Sequence, residues 1–139
     1  MLTIQRLSLG DAVKLIEGAS NHAAEIGVPM CISVCDESGN LIAFERMDGA
    51  KVLSVSLSAD KAYTSAISRR PTHDYNELCV PGNLVFGIQT SSGGRFSTVG
   101  GGFPVIIDGE TVGAIGCSSG TAEQDMACSQ AGLSRFFDT

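Results

Sequence analysis

A chain of 139 residues, 43% of them hydrophobic, is long enough for one domain with a hydrophobic core. Its formal net charge of −6 and its lack of a basic run argue against nucleic-acid binding, because phosphate contacts need clustered Lys and Arg. No apolar run is long enough to cross a bilayer, and no signal-peptide pattern begins the sequence, so we expect a cytoplasmic protein without a membrane partner.

The first predicted element is a helix between Ser8 and Gly27. Ser8 and Asp11 form the capping-box pattern at its start, and Gly27 followed by Pro29 ends it. Apolar residues recur at helical spacing between these ends. His22 lies beside the apolar stripe, so it is either a hydrogen-bonded core or interface residue or an imidazole offered to a metal such as a haem iron.

Two predicted strands follow, at residues 30–35 and 40–47, joined by a turn-rich segment. Both faces of these strands are largely apolar, which predicts a sheet covered on both sides by helices or by another subunit. Arg46 and Asp48 leave the second strand together. They either form a salt bridge at this corner, or Arg46 faces a ligand carboxylate that its planar guanidinium can bind through two hydrogen bonds.

A second helix is predicted over residues 52–68, with small apolar residues at helical spacing. Lys61 lies next to that stripe. Exposure to solvent is usual for such a lysine, whereas a buried one would indicate a site. Beyond the helix, Thr72 is expected to cap a short helix with His73 exposed, and residues 89–97 form a polar loop suited to covering or lining a pocket.

The second predicted hairpin has apolar runs at residues 104–107 and 111–115. They flank Asp108-Gly109, a dipeptide suited to a type I′ turn. Such a hairpin is preceded here by three consecutive glycines: Gly100, Gly101 and Gly102. The triplet indicates either tight turns and close helix–sheet packing, or a backbone that a ligand approaches closely.

A second capping box, Thr121 with Gln124, begins the last predicted helix, which runs to about Phe136. The elements in order predict a single α/β domain, residues 1–139, around one antiparallel sheet. The five cysteines have no zinc-site or C-x-x-C spacing, so we predict that they are reduced and mostly buried. No catalytic triad, nucleophile-elbow motif or phosphate-binding loop is recognised.

Eight short segments of the chain belong together: Val34-Cys35-Asp36, Gly39-Asn40-Leu41, Arg46-Met47-Asp48-Gly49-Ala50, Lys61-Ala62-Tyr63-Thr64, Gly101-Gly102-Phe103-Pro104, Asp108-Gly109, Val112-Gly113-Ala114-Ile115-Gly116 and Gln124-Asp125. Over nearly the whole chain they resemble the GlcG/HbpS-like haem-binding family, which is related to the C-terminal domain of PduO-type cobalamin adenosyltransferases. The resemblance implies an α+β domain with a profilin-like, five-stranded antiparallel sheet flanked by helices, assembled into homo-oligomers.

The resemblance also implies a binding site for a small molecule or tetrapyrrole, with haem as the expected cofactor. His22 is then the axial ligand of the haem iron, and Arg46 and Lys61 contact propionates or another carboxylate. The glycine triplet lets a planar ligand approach the backbone. The implied function is that of a haem-binding accessory or sensor protein in a catabolic operon. Three residues, Cys117, Ser119 and Met126, depart from what is common in the family. Cys117 is either a soft ligand, a nucleophile or a buried small residue.

Two other functions stay open at this point. One is an enzyme on a small carboxylated catabolite, in which Arg46 clamps the acid and Lys61, Asp48 or Asp125 moves a proton. The other is an oligomeric scaffold or chaperone for a partner enzyme. No adenosyltransferase activity is predicted. The identity of the ligand and the size of the oligomer do not follow from the sequence.

Overall fold

The computed structural model describes residues 1–138, which form three long helices and four strands. Their bounds in chain order are α1 Leu9–Ile26, β1 Cys31–Asp36, β2 Leu41–Arg46, α2 Leu53–Ser68, β3 Gly102–Ile107, β4 Glu110–Ser118 and α3 Ala122–Phe137. Between α2 and β3 the chain forms turns and short 3₁₀ segments at Thr72–Tyr75, Ile88–Thr90 and Ser92–Gly94. None of these helices is long and apolar enough to cross a membrane. The fold is α+β.

One antiparallel sheet contains all four strands in the order β2-β1-β4-β3. The expectation of five strands is therefore wrong for the described residues. The further apolar run at residues 84–88 does not extend into a strand: it lies in turns, and Gly82 before it and Gly87 within it adopt positive φ angles of 90° and 95°. The profilin-like description stays a prediction.

Helices cover both faces of the sheet, as the apolar strands predicted. On one face α2 packs through Ala62 and Ala66 against Cys35 and Ala114 of the central strands. On the other face α1 and α3 pack against each other and against a larger core that includes Ile32. The edge strand β2 is less covered than β1, whose six residues are all buried.

The predicted helix ends are confirmed. Ser8 Oγ accepts a hydrogen bond from the backbone N–H of Asp11, and Thr121 Oγ1 accepts one from that of Gln124, at 3.1 and 3.2 Å. Both capping boxes are complete. Gly27 ends α1 in the left-handed conformation, with a φ of 70°.

The hairpin turn between β3 and β4 is also confirmed. Asp108 and Gly109 have φ angles of 51° and 79°, the two positive values that a type I′ turn requires. The prediction that the cysteines are reduced and mostly buried is confirmed as well, since all five are free thiols and four are buried.

The buried face of α2 differs from the apolar stripe that we expected. Ser58 and Lys61 are fully buried, whereas Val55 is exposed. Strand glycines allow the helix to approach the sheet closely: a Cβ at Gly116 would lie 2.6 Å from the backbone N of Ala62. Short polar groups fill the contact, and they include the hydrogen-bonded hydroxyls of Ser58 and Ser33, 2.9 Å apart.

Candidate functional site

The predicted site residues gather at one end of the sheet, which we call the Gly102 end. Gly102 begins β3, and Arg46 ends β2. Across the sheet Arg46 lies opposite Cys31 at the start of β1, and Cys31 lies opposite Ser118 at the end of β4. Two further residues belong to helix ends next to it. Asp125 is in the first turn of α3, which follows β4, and His22 is in the last turns of α1, which precedes β1.

Lys61 is completely buried at this end, contrary to the usual exposure of a lysine. Its Nζ donates to a carboxylate oxygen of Asp125 at 2.8 Å and to the carbonyl oxygen of Cys117 at 2.9 Å. The other carboxylate oxygen of Asp125 accepts from the backbone N–H of Gly120 at 2.9 Å. The ion pair thus links α2 on one face of the sheet to α3 on the other, and its charges are neutralised within the protein.

The glycine triplet makes room for this ion pair. A Cβ at Gly101 would lie 2.6 Å from the carbonyl oxygen of Cys117 and 2.9 Å from the Nζ of Lys61. The carbonyl oxygen of Gly101 accepts from Ser129 Oγ at 2.6 Å, and Gly102 N–H donates to the Thr72 hydroxyl at 3.0 Å. Groups of the chain itself occupy this space, so close packing explains these glycines better than an approaching planar ligand.

Thr72 and His73 differ from their predicted roles. Pro71 is the N-cap of the 3₁₀ segment. Thr72 is buried, and its hydroxyl accepts a hydrogen bond from the backbone N–H of Gly102 in β3. His73 is half-buried: its ring centroid lies 5.6 Å from that of Phe103, and its Nδ1 is buried without a hydrogen-bond partner in the described chain. Polar neighbours in the sequence suggested exposure, but contacts with a strand about thirty residues later decide the burial.

Met126 and Gly100 also belong to the Gly102 end, and sequence reasoning gave Met126 no place in the site. A Cβ at Gly100 would lie 2.9 Å from the sulfur of Met126 and 3.4 Å from the Cβ of His73. The thioether and the imidazole therefore border the same glycine. The signal for this contact was the position of Met126 directly after Asp125, on the first turn of α3.

Arg46 and Asp48 are both exposed, and within residues 1–138 neither has an ion-pair partner. The predicted salt bridge between them is therefore wrong. The physical reason is the exposure of both side chains, because solvation leaves little to gain from pairing. The guanidinium of Arg46 stays available to a carboxylate from outside the chain.

His22 is about one-third exposed, with 32% of its side chain accessible. Its Nδ1 lies 3.6 Å from a carboxylate oxygen of Glu25, one turn further along α1. Ile26, four residues after His22, is exposed on the neighbouring turn. His22 therefore combines an accessible imidazole, an acid near one ring nitrogen and an apolar neighbour.

Cys117 is a buried thiol rather than a reactive one. Burial away from water raises its pKa well above the ordinary range of thiols, and burial raises the pKa of Cys128 to about 11. A neutral thiol is a poor nucleophile and a poor metal ligand. Of the alternatives for Cys117, the buried small residue fits.

The Gly102 end presents a surface to a ligand, whereas two cavities lie at the opposite end of the sheet. Their volumes are about 610 and about 330 Å³, and none of the predicted site residues lines either one. Among residues 1–138 no group of three or more His, Cys, Asp or Glu side chains is arranged to hold a metal ion.

Three helices on an antiparallel sheet of four strands define the class of the protein as an α+β domain. A family model described as "Haem degrading protein HbpS-like" matches residues 7–134, and the chain belongs to this family. The resemblance noted in the sequence is thereby confirmed.

Two sequence relatives agree with this membership. An uncharacterised 15.0 kDa protein of the dhaT-dhaS intergenic region of Citrobacter freundii is 38% identical, over 96% of this chain and 94% of its own. The corrinoid adenosyltransferase PduO of Salmonella typhimurium is 32% identical over 91% of this chain. The match spans only 38% of the length of that PduO protein.

Two solved structures share the fold. The crystal structure of the Klebsiella pneumoniae protein ORFY has a TM-score of 0.98 at 33% identity and covers 100% of this chain and 96% of its own. The crystal structure of a PduOC:heme complex has a TM-score of 0.90 at 31% identity and covers 94% of both chains.

Proposed function

We propose that this protein binds haem, with His22 as the iron ligand and Arg46 as a contact for a haem carboxylate. The observation that carries the proposal is the accessible imidazole of His22 in a member of the HbpS-like family. The PduOC relative, structurally similar over 94% of this chain, is known as a complex with heme, which supports the same ligand here.

The surroundings of His22 fit an axial ligand. An imidazole that ligates a metal through one nitrogen usually has its other nitrogen oriented by a carboxylate or carbonyl, and Glu25 lies 3.6 Å from Nδ1. Nε2 is then the nitrogen left for iron. Ile26 adds apolar surface on the next turn of the helix, as a porphyrin ring requires. A bound haem would supply an iron centre for binding small ligands or for redox chemistry.

Arg46 is the better of the two predicted propionate contacts. Its guanidinium is exposed and unpaired within the described residues, so it can bind a carboxylate through two hydrogen bonds. Lys61 instead has no exposed surface, and Asp125 already neutralises its charge. We assign Lys61 and Asp125 the role of holding the backbone of the glycine triplet beside the site.

An open surface around His22 supports a homo-oligomer as the binding form. Small-molecule sites usually enclose most of the ligand surface, and a haem against one helix face would leave the other side of its ring in water. A second copy of the chain would cover that side. We extend the proposal to an accessory or sensor role in a catabolic operon in the cytoplasm.

A titration with haemin, followed through the Soret absorbance, tests the proposal. The chain has two histidines, so His73→Gln is a matched control for His22→Gln. We expect the wild type and His73→Gln to give the same shifted Soret band, and His22→Gln to lose it while its circular dichroism stays unchanged. Equal spectra and affinities for His22→Gln and the wild type would contradict the assignment.

The buried ion pair favours a second candidate function, an enzyme acting on a small carboxylated catabolite. Titratable groups that are buried beside a specific charge partner, as Lys61 and Asp125 are, are candidates for a functional site. In this candidate Arg46 clamps the carboxylate, while Lys61, Asp125 or Asp48 transfers the proton. A candidate substrate turned over by the wild type and not by folded Arg46→Gln would support it. Turnover that is unchanged in that variant would exclude Arg46 as the clamp.

A further inference from the structure

The larger cavity lies at the end of the sheet opposite His22. Its volume of about 610 Å³ is within the range of sites that bind small organic molecules. Four parts of the chain wall it: the N-terminal segment before α1, the turn between β1 and β2, the C-terminal end of α2 and the hairpin turn between β3 and β4. Apolar and charged side chains both line it, among them Leu2, Ile4, Arg69, Ile107, Asp108 and Glu110.

Charged groups of both signs line this cavity without partners. Within residues 1–138, Arg69, Asp108 and Glu110 form no ion pair and no side-chain hydrogen bond. The fourth charged group in the lining, Glu37, is neutralised by Arg6, whose guanidinium donates to both of its carboxylate oxygens. One positive and two negative groups are therefore left facing the same space.

The two signs come from different walls. Arg69 is the residue that ends α2, and Asp108 and Glu110 belong to the hairpin turn and the start of β4. A pure anion would meet Arg69 beside two repelling carboxylates, and a pure cation would meet the carboxylates beside a repelling guanidinium. A ligand with both charges satisfies both walls. A primary ammonium has three N–H donors, so two carboxylates can share it.

We propose that this cavity binds a small zwitterion of the α-amino-acid type with an apolar side chain. Its carboxylate binds the guanidinium of Arg69, and its ammonium binds Asp108 and Glu110. Its side chain packs on Leu2 and Ile4, which are exposed without a ligand, and on Ile107. This site is separate from the proposed haem surface, and neither proposal depends on the other.

Three probes with nearly the same apolar body separate the two charges. L-leucine carries both, 4-methylpentanoate carries only the carboxylate, and 3-methylbutylamine carries only the ammonium. Binding is followed by amide shifts in ¹⁵N–¹H spectra of the wild type. We expect L-leucine to bind at least about tenfold more tightly than either other probe, because each charged hydrogen bond adds to the affinity. The largest shifts should lie in residues 2–5, 69 and 107–111.

Two variants, one single and one double, remove the charges without disturbing the backbone. Arg69 and Asp108 both have positive φ angles, 61° and 51°, which asparagine tolerates better than most residues. Asp108→Asn also creates Asn-Gly, a favoured type I′ pair. Arg69→Asn should reduce the affinity for L-leucine to that for 3-methylbutylamine. Asp108→Asn with Glu110→Gln should reduce it to that for 4-methylpentanoate.

Lys14→Gln is the charge control, since Lys14 is exposed on α1 and does not line the cavity. It should leave the affinity for L-leucine unchanged. The proposal is overturned if L-leucine causes no shifts at residues 69 and 107–111. It is equally overturned if either single-charge probe binds as tightly as L-leucine, or if Arg69→Asn binds L-leucine as the wild type does.

Discussion

At the scale of single residues, the charge of Lys61 is held by the carboxylate of Asp125 and the carbonyl of Cys117. Both charged groups are out of water, so each depends on the other. Desolvation makes a buried ion pair a weak source of net stability, but it makes a buried charge without its partner very unfavourable. Removing one charge of the pair should therefore lower the stability of the protein more than removing both charges.

We expect Lys61→Met to lower the free energy of unfolding by about 3–5 kcal/mol, because it leaves Asp125 as an unpaired buried carboxylate. Adding Asp125→Asn should recover most of this loss, since asparagine can still accept from the N–H of Gly120 and carries no charge. Urea unfolding of both variants measures the effect, with the exposed Lys14→Met as control. Equal stability of the single and double variants would contradict the pairing.

The absence of a side chain at Gly101 leaves room for the ammonium group of Lys61. We expect Gly101→Ala to destabilise the protein by about 3 kcal/mol, since its φ of 132° disfavours a side chain and the added Cβ would approach Cys117 and Lys61. Gly82→Ala is the matched control: its φ is 90°, but nothing lies within 4 Å of the added Cβ, so about 1 kcal/mol is expected. Urea unfolding compares them, and equal losses would rule out crowding at Gly101.

At the scale of elements, α3 begins at a complete capping box directly after the buried strand β4. We expect Thr121→Ala to lower the free energy of unfolding by about 1 kcal/mol, because the N–H of Gln124 loses its acceptor. Thr3→Ala, in the exposed N-terminal segment, is the control and should stay within about 0.5 kcal/mol of the wild type. A loss as small as that of the control would mean that the cap does not stabilise α3.

Helix ends and the tight turn were predictable from the sequence because the interactions that form them are local. The box of Ser8 with Asp11, the box of Thr121 with Gln124 and the turn at Asp108-Gly109 each lie within four residues. The strand count depended on a resemblance and was wrong by one.

The buried face of α2 was not predictable in the same way. It depends on glycines in strands about fifty residues further along the chain, which draw the helix onto the sheet and let small polar side chains be buried. The partner of Lys61, Asp125, is 64 residues away. No periodicity within α2 contains that information.

At the scale of the whole molecule, buried thiols make the free energy of unfolding depend on pH in the alkaline range. Burial raises the pKa of Cys35 to about 12 and that of Cys128 to about 11. In the unfolded chain these thiols ionise at an ordinary pKa of about 8.5. Because the folded pKa values are raised, the stabilisation is complete below that pH and is lost as the pH rises toward 11–12.

We therefore expect the free energy of unfolding to fall between pH 8.5 and 10.5, with a smaller fall in Cys35→Ala. Each thiol contributes a slope of at most about 1.4 kcal/mol per pH unit in this window. Cys79→Ser is the control, since Cys79 is the one cysteine that is not buried. Urea unfolding at a series of pH values measures the slopes. Parallel curves for wild type and Cys35→Ala would contradict the contribution of this thiol.

Two features lie at opposite ends of the sheet. The accessible imidazole of His22 is at the Gly102 end, and the charged cavity is at the other end, beside the turn between β3 and β4. The sequence predicted the elements that carry His22, Arg46 and Asp125, and in the structure these elements have ends at the Gly102 end; their role in a site stays a prediction. The cavity was not predictable from the sequence, because its walls come from four segments that lie far apart in the chain.

The central claim is that His22 ligates the metal of a bound porphyrin, and a ¹⁵N spectrum of the histidine side chains tests it most directly. Protein labelled at its two histidines is mixed with zinc protoporphyrin, whose metal is diamagnetic. We predict a large shift of the Nε2 resonance of His22 with no comparable change at His73. Porphyrin binding that leaves the nitrogens of His22 unshifted, or that shifts those of His73 instead, would contradict the account.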